Sequence, residues 1–389
     1  MSTEMNRRDW LKSSALLTAG LTFGTSALQP LLAKAKPAVK VRQLNFEMES
    51  AMAIDLPPLR ARLFANENPF GPSEKARKAI TEAISTSFQY PFIALRKFQE
   101  MIAEKEGVSK EHVLLGAGSS ELLAAAAIIY ASKGGSIITA DPSYLDLVDT
   151  AAEFGAPIEK VALDKAYVHD LDAMQKKVNA KTSLVYICNP NNPTGTVIPG
   201  DKLKSFCEAV SKTTPIFIDE AYIDYAEPGK TASMVDCVRK GQNVIIARTF
   251  SKLHAFAGLR IGYVIAQPDV IKAMSKYCSE GAAISATTVS GAMASYQDAE
   301  YAKYAIAKNN ESKHFLYQTL KAEGYSYVPS HTNFVIFPLK MNAEKFVGEM
   351  MKRGVGVRSW AFANQQWCRV SIGTMDDMKT FAGAFKELS

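Results

Sequence analysis

Lys252 is the residue on which chemistry could turn, because a lysine amine attacks aldehydes once burial or neighbouring charge lowers its pKa. It lies in Ala247-Arg-Thr-Phe-Ser-Lys-Leu-His-Ala-Phe-Ala-Gly-Leu-Arg-Ile-Gly262. Thr249 and Ser251, two apart at the end of an apolar run, point to one face and could both address an anion. Arg260 could add a bidentate fork of N–H donors to the same anion. The alternative is that Lys252 is a solvated surface lysine and Arg260 a structural ion-pair partner, the usual fate of both residue types.

An imine-forming lysine beside a phosphate site suggests pyridoxal phosphate, and other stretches supply what such a group would need. Val113-Leu-Leu115 runs into Gly116-Ala-Gly-Ser-Ser-Glu121 and a long apolar pattern. A strand, a glycine-rich turn and a helix N-terminus present free N–H groups to an anion, with Ser119 and Ser120 as extra donors. Tyr144 follows a strand and could stack on a planar ring or be ordinary packing. Asn189-Pro-Asn-Asn-Pro-Thr-Gly195 is turn-rich and places Asn192 where its amide could donate to a phenolate oxygen. Ile218-Asp-Glu-Ala-Tyr222 carries Asp219, a carboxylate able to keep a pyridinium nitrogen protonated, or alternatively an N-cap, with Tyr222 beside the site or in the core. Arg369 lies in an otherwise apolar strand, where an unpaired guanidinium is costly, so a protein or substrate carboxylate should answer it. Leu63-Phe-Ala-Asn-Glu-Asn-Pro-Phe-Gly-Pro-Ser73 reads as a loop or arm with exposed amides, Asn68 among them, that could close over a site.

The elements that must hold these residues alternate. Strands are expected at Val113–Leu115, Ser136–Ala140, Ser183–Cys188, Ile216–Asp219, Val244–Ala247 and Ile261–Ala266. Helical patterns cover Glu74–Ser85, Leu95–Glu106 and Gly200–Lys212. This predicts an α/β fold: a mostly parallel sheet covered by helices, with the site at the strand C-terminal ends. Beyond about residue 290 long polar helices, starting with Tyr301–Glu323, and strand-like runs at 333–337, 356–358 and 368–372 predict a smaller α+β domain.

The 389 residues, 47% hydrophobic and 22% charged, suffice for two domains. Net charge is +6, two of it in residues 1–35, and no dense basic run suggests nucleic acid. Five scattered cysteines have no metal-ligand spacing, so no metal site is expected. Asn6-Arg-Arg-Asp-Trp-Leu-Lys12, a modest apolar run and Ala33-Lys-Ala35 resemble a twin-arginine export signal, which implies a periplasmic product and the export machinery as a partner. An uncleaved leader acting as a membrane anchor is the alternative. The expected organisation is a signal over 1–35, an arm over 36–72, a large domain over 73–290 and a small domain over 291–389.

Taken together, Asn-Pro-Phe-Gly-Pro (68–72), Gly-Ser-Ser-Glu-Leu (118–122), Asn-Asn-Pro-Thr-Gly (191–195), Asp-Glu-Ala-Tyr (219–222), Ser-Lys with Ala-Gly-Leu-Arg-Ile-Gly (251–262) and Arg369 resemble fold type I pyridoxal-phosphate aminotransferases. The resemblance is closest to the histidinol-phosphate aminotransferase group. It implies a seven-stranded-type sheet and a homodimer with sites at the interface. Lys252 would then hold the cofactor and shuttle a proton, and Asp219 would pair with the ring nitrogen. Asn192 and Tyr222 would address the phenolate, and Tyr144 the ring. Ser119, Ser120, Thr249, Ser251 and Arg260 would hold the phosphate, and Tyr90 would reach the partner subunit's phosphate. Arg369 would grip the substrate α-carboxylate, Arg358 could serve a second anionic group, and Asn68 is a further candidate to bind substrate. The expected reaction moves an amino group between an amino acid and a 2-oxo acid by a ping-pong mechanism. A decarboxylase or lyase of the same fold, and a non-catalytic cofactor-binding domain, are the alternatives.

Overall fold

A computed structural model describes residues 58–389; the expected export signal and the first part of the arm lie outside the described residues. The chain begins with a short strand, β1 (Ala61–Arg62), and two helices, α1 (Glu74–Ala83) and α2 (Phe92–Glu106). Ser73 starts α1 by accepting a hydrogen bond from Ala76 N, as its residue type and position predict. Strands and helices then alternate: β2 (Val113–Gly116), α3 (Ser119–Ser132), β3 (Ser136–Asp141), α4 (Asp146–Glu153), β4 (Ile158–Ala162), α5 (Leu171–Lys177) and β5 (Thr182–Cys188). After them come α6 (Gly200–Val210), β6 (Ile216–Asp219), α7 (Val235–Arg239), β7 (Val244–Thr249) and β8 (Gly262–Ile265).

These strands form one seven-stranded sheet in the order β2-β8-β7-β6-β5-β3-β4. β8 runs antiparallel to both neighbours, and the other pairings are parallel. The centre is fully buried, so its strands are apolar on both faces. Ile216, Ile218 and Ile246 pack into one core, while Phe217, Ile245 and Ala247 pack into the other. Register sets Cys188 beside Asp219 and Asp219 beside Ala247. The loops that leave β5, β6 and β7 therefore start side by side, and they carry Asn192, Tyr222 and Lys252.

Two helices, α8 (Pro268–Met274) and α9 (Ala286–Tyr296), lead to the long α10 (Ala299–Ala322). Then come β9 (Phe334–Pro338), α11 (Ala343–Lys352), β10 (Val355–Gly356), β11 (Arg358–Phe362), β12 (Gln365–Ser371) and α12 (Met375–Lys386). β11, β12 and β9 make an antiparallel sheet. Its apolar face packs with α11 and α12 in a core that also takes Ala61 and Leu63, because β1 pairs in parallel with β10. The chain thus leaves β1 at the C-terminal core and passes across the site before α1.

The structure adds elements that the sequence reading did not pick out. β4 is an edge strand whose residues, Ile-Glu-Lys-Val-Ala, are mostly part-exposed, so it lacks the apolar run of its neighbours. α12 opens on a capping box formed by Thr374 and Asp377, a readable signal in a stretch for which no element was expected. α2 starts at Phe92 rather than Leu95. α9 runs without a break across residue 290.

Candidate active site

Lys252 follows the end of β7. Its Nζ donates to Asn66 O at 3.2 Å and lies 5.5 Å from the centre of the Tyr222 ring. Burial first, and the positive charge of Arg369 second, push the amine down to about 8. Near neutral pH a usable fraction of the amine therefore carries a free lone pair.

The anion end is built around the start of α3. Its N-cap is Gly118, so no side chain occupies the free N–H groups of the first turn. Gly118 has φ +83, and a Cβ there would stand 2.3 Å from Arg260 Nη2. A side chain would displace the guanidinium from the helix start. Arg260 Nη1 donates to Ser251 Oγ at 3.1 Å, and Ser251 N donates to Thr249 Oγ1 at 3.1 Å. Arg260 makes no ion pair among the described residues. Ser119 sits at the helix start, and Ser120 Oγ donates to Asp146 Oδ2 at 3.3 Å.

At the end of β6, Asp219 is 2% exposed and accepts from Ala221 N at 3.0 Å and Tyr186 OH at 3.4 Å. No cation pairs with it among the described residues, and burial raises its carboxyl to about 6. A protonated ring nitrogen would relieve that penalty. Tyr222 OH accepts from Asn66 Nδ2 at 2.9 Å, and burial pushes its phenol up. Tyr144 is raised by burial, then by Asp146; Asp219 and Tyr222 act on it too, which puts it in the same cluster.

Arg369, on β12, closes the other side. It is 2% exposed and donates from Nη1 to Asn192 Oδ1 at 2.6 Å and from Nη2 to Phe64 O at 2.8 Å, while Nε has no partner. Both acceptors are neutral. Burial therefore drives the guanidinium down to about 9. Asn192 gives its oxygen to Arg369, and its amide nitrogen makes no hydrogen bond among the described residues. Arg358 is paired in register with Arg369 on the neighbouring strand. The Trp360 ring lies 5.0 Å from the Arg358 guanidinium and 4.4 Å from that of Arg369. Burial lowers Arg358 as well.

Two candidates stand apart from this cluster. Asn68, a candidate to bind substrate, makes its side-chain hydrogen bonds within the chain. Its Nδ2 donates to Leu253 O at 2.7 Å and Tyr301 OH at 3.2 Å, and its Oδ1 accepts from Phe70 N. With both N–H bonds and its oxygen engaged, Asn68 ties the arm to the Lys252 loop. Tyr90 is 77% exposed and stacks on Phe92 at 5.5 Å, with no contact to the site of its own chain.

The sequence reading missed Asn66. It has φ 53, and its backbone N and Oδ1 both bond Ser371 Oγ while its amide reaches Tyr222. Asn333 Nδ2 fixes the same turn through Asn66 O and Glu67 O. An asparagine four residues past β1 was a usable signal, since asparagine tolerates the left-handed region. Trp360 was missed because only the arginines around it were weighed.

The donor set fits pyridoxal phosphate on these observations: an uncapped helix start with an unpaired arginine, a buried carboxylate without a cation, and a lowered amine. The first would hold the phosphate, Asp219 the ring nitrogen and Lys252 the aldehyde carbon. Comparisons with known proteins agree. The profile of the family described as aminotransferase class I and II matches residues 61–385. A histidinol-phosphate aminotransferase of Moorella thermoacetica is 34% identical over 84% of this chain and 85% of its own. Histidinol-phosphate aminotransferase 1 of Bacillus cereus is 34% identical over 84% of this chain and 88% of its own. The crystal structure of histidinol-phosphate aminotransferase from Sinorhizobium meliloti in complex with pyridoxal-5'-phosphate superposes with a TM-score of 0.79 at 26% identity, covering 92% of this chain and 97% of that one. With an amine, a carboxylate and an anion cradle arranged as this chemistry requires, the chain belongs to the class I and II aminotransferases and is a pyridoxal-phosphate-dependent transaminase.

Proposed function

We propose that the chain transfers an amino group between an amino acid and a 2-oxo acid, with Arg369 as a carboxylate clamp shared by both half-reactions. The observation that supports it is a buried guanidinium with neutral acceptors and one N–H left unpartnered. Pyridoxal phosphate, when bound, supplies an aldehyde for the amino group and a ring that withdraws electrons from the substrate α-carbon. Lys252 takes the proton from that carbon and returns it, and its lowered pKa suits both steps. Asn66 and Tyr222 hold the floor of the site beside the lysine. Arg358 and the Trp360 face favour a substrate whose side chain is a flat ring or carries a second anion. The curated relatives are named for histidinol phosphate, which has an imidazole ring and a phosphate.

The test is donor-by-donor. Histidinol phosphate, glutamate and aromatic amino acids are added singly to the purified enzyme with 2-oxoglutarate or pyruvate, and the new amino and oxo products are quantified by mass spectrometry. Stoichiometric exchange with some donors, absent in Lys252→Ala, is expected. Release of carbon dioxide or ammonia without exchange would overturn the reading.

A second copy of the chain as partner is supported by Ile84, Phe88, Tyr90, Phe92 and Ile93, which lie 59–87% exposed around the start of α2. In such a dimer Tyr90 would serve the partner's site. Export to the periplasm rests on Arg7, Arg8 and the apolar run after them. Cell fractionation with Arg7→Lys/Arg8→Lys tests it, since loss of the periplasmic pool is expected.

A further inference from the structure

Arg369 makes no ion pair among the described residues, yet its side chain is out of water, so another group must make a charge tolerable there. The register of the small sheet shows what flanks it. Trp367, Arg369 and Ser371 share one face of β12. Trp367 pairs with Trp360 on β11, and Ser371 pairs with Phe334 on β9. Trp360 and Phe334 are therefore diagonal neighbours of Arg369, one on each flanking strand and displaced in opposite directions along β12. The guanidinium carbon lies 4.4 Å from the centre of the Trp360 ring and 5.2 Å from that of Phe334. Phe334 is fully buried, and Trp360 packs against the cluster of Val328, Ile336 and Trp367, so both rings are held in place.

We propose that Trp360 and Phe334 are positioning residues for Arg369: their ring faces stabilise its guanidinium in place of a counter-ion and leave its N–H edge to a substrate carboxylate. This rests on the reading of Arg369 as the carboxylate clamp.

A ring face attracts a cation through its quadrupole and presents no hydrogen-bond acceptor to it. An aspartate or glutamate in the same place would also stabilise the charge, but it would occupy the N–H groups that the substrate has to reach. Asn192 Oδ1 and Phe64 O take one N–H each, and Nε is left without a partner. Rings on two sides thus hold the guanidinium without competing for its edge. The two rings differ in what else they touch. Phe334 meets Tyr222 edge-on at 5.2 Å and so also supports the lysine side of the site, whereas Trp360 lies 5.0 Å from Arg358. Trp360 gives the cleaner variant for that reason.

The test uses the holoenzyme at saturating donor with pyruvate or 2-oxoglutarate as acceptor, neither of which has a ring to meet Trp360 directly. Leucine keeps apolar bulk and removes the ring face. Trp360→Leu should raise the acceptor KM about 5- to 30-fold, with kcat changed less. Trp360→Phe, which keeps a ring face, should recover most of that loss. Phe334→Leu should raise KM as well and lower kcat more, through Tyr222. Placed on Arg369→Met, Trp360→Leu should change acceptor kcat/KM by less than about twofold, because the group it acts on is gone. An unchanged KM in Trp360→Leu, no recovery in Trp360→Phe, or a full effect of Trp360→Leu without the arginine would each overturn the proposal and leave the clamp standing. If Arg369→Met itself leaves acceptor kcat/KM unchanged, the clamp reading fails and the proposal falls with it.

Discussion

Arg248 on β7 and Arg369 on β12 both hold a guanidinium largely out of water, but their surroundings are opposite. Arg248 meets Glu220 at 2.9 Å and Glu106 at 3.2 Å, and it also donates to Ser233 Oγ at 2.8 Å. Burial alone would lower it; Tyr263, Glu220 and Glu106 outweigh that and raise it. Arg369 has two neutral oxygens and an idle Nε, and there burial prevails. A buried charge answered inside the chain holds β6 and β7 against α2. A buried charge left unanswered needs an anion from outside. The difference separates a structural arginine from a binding one without reference to any ligand.

Replacing Arg369 is the sharpest way to break this contrast. Arg369→Met should lower kcat/KM for the best donor about 10^3-fold, as two charge-assisted hydrogen bonds of about 2 kcal/mol each are lost. Its urea midpoint should hold or rise, because an uncompensated buried charge has gone. A fall in midpoint with little change in kcat/KM would reverse the roles of the two arginines.

The mirror experiment is Arg248→Met. Removing it strands Glu220, which is 1% exposed, so stability should fall by about 3–5 kcal/mol in urea unfolding. In the protein that remains folded, kcat/KM should stay within a few-fold of wild type. Adding Glu220→Leu to Arg248→Met should restore part of the stability, since the stranded charge is then absent. No recovery would mean that packing, and not charge, sets the loss.

Much of the cofactor side is legible in the sequence, because each strand end announces itself. Lys252, Asp219 and Asn192 follow short apolar runs, and the Gly118 turn precedes a long apolar helix. The substrate side is less legible. Arg369 stands out as a charge in an apolar strand, but Asn66 and Asn333 act through contacts across hundreds of residues, which no local pattern encodes. Asn68 shows the converse: the sequence gives no sign that its amide bonds Leu253 O and Tyr301 OH, which only the folded chain brings beside it. β4 and α5 escape for a different reason, since short, half-exposed elements carry little periodicity.

Asn66 offers a smaller perturbation between the two regions, because it links Tyr222 on one side to Ser371, two residues from Arg369, on the other. Asn66→Ala frees the Tyr222 hydroxyl and the Ser371 hydroxyl. About 1–3 kcal/mol of positioning should go, seen as a 5- to 100-fold fall in kcat with KM for the donor changed less. An equal fall in thermal stability and an unchanged kcat would make the asparagine purely structural.

The smallest expected effect tests whether the two arginines differ electrostatically at the reacting amine. Burial first and Arg369 second hold Lys252 at about 8, while Glu67 and Asp219 oppose them. Competitive acylation of cofactor-free protein, read at Lys252 by peptide mapping, should therefore rise with a midpoint near pH 8. The sign for stability follows: with its folded pKa below the unfolded value, Lys252 contributes stability fully present above about pH 10.5 and lost as pH falls through about 8. In Arg369→Met the labelling midpoint should move up, because the nearby positive charge is gone and the opened pocket admits water, and both changes favour the ammonium form. In Arg248→Met it should stay where it is, since Arg248 is not among the charges that act on Lys252. A midpoint that moves equally in both variants would show that general loosening of the sheet, and not the charge of Arg369, governs the lysine.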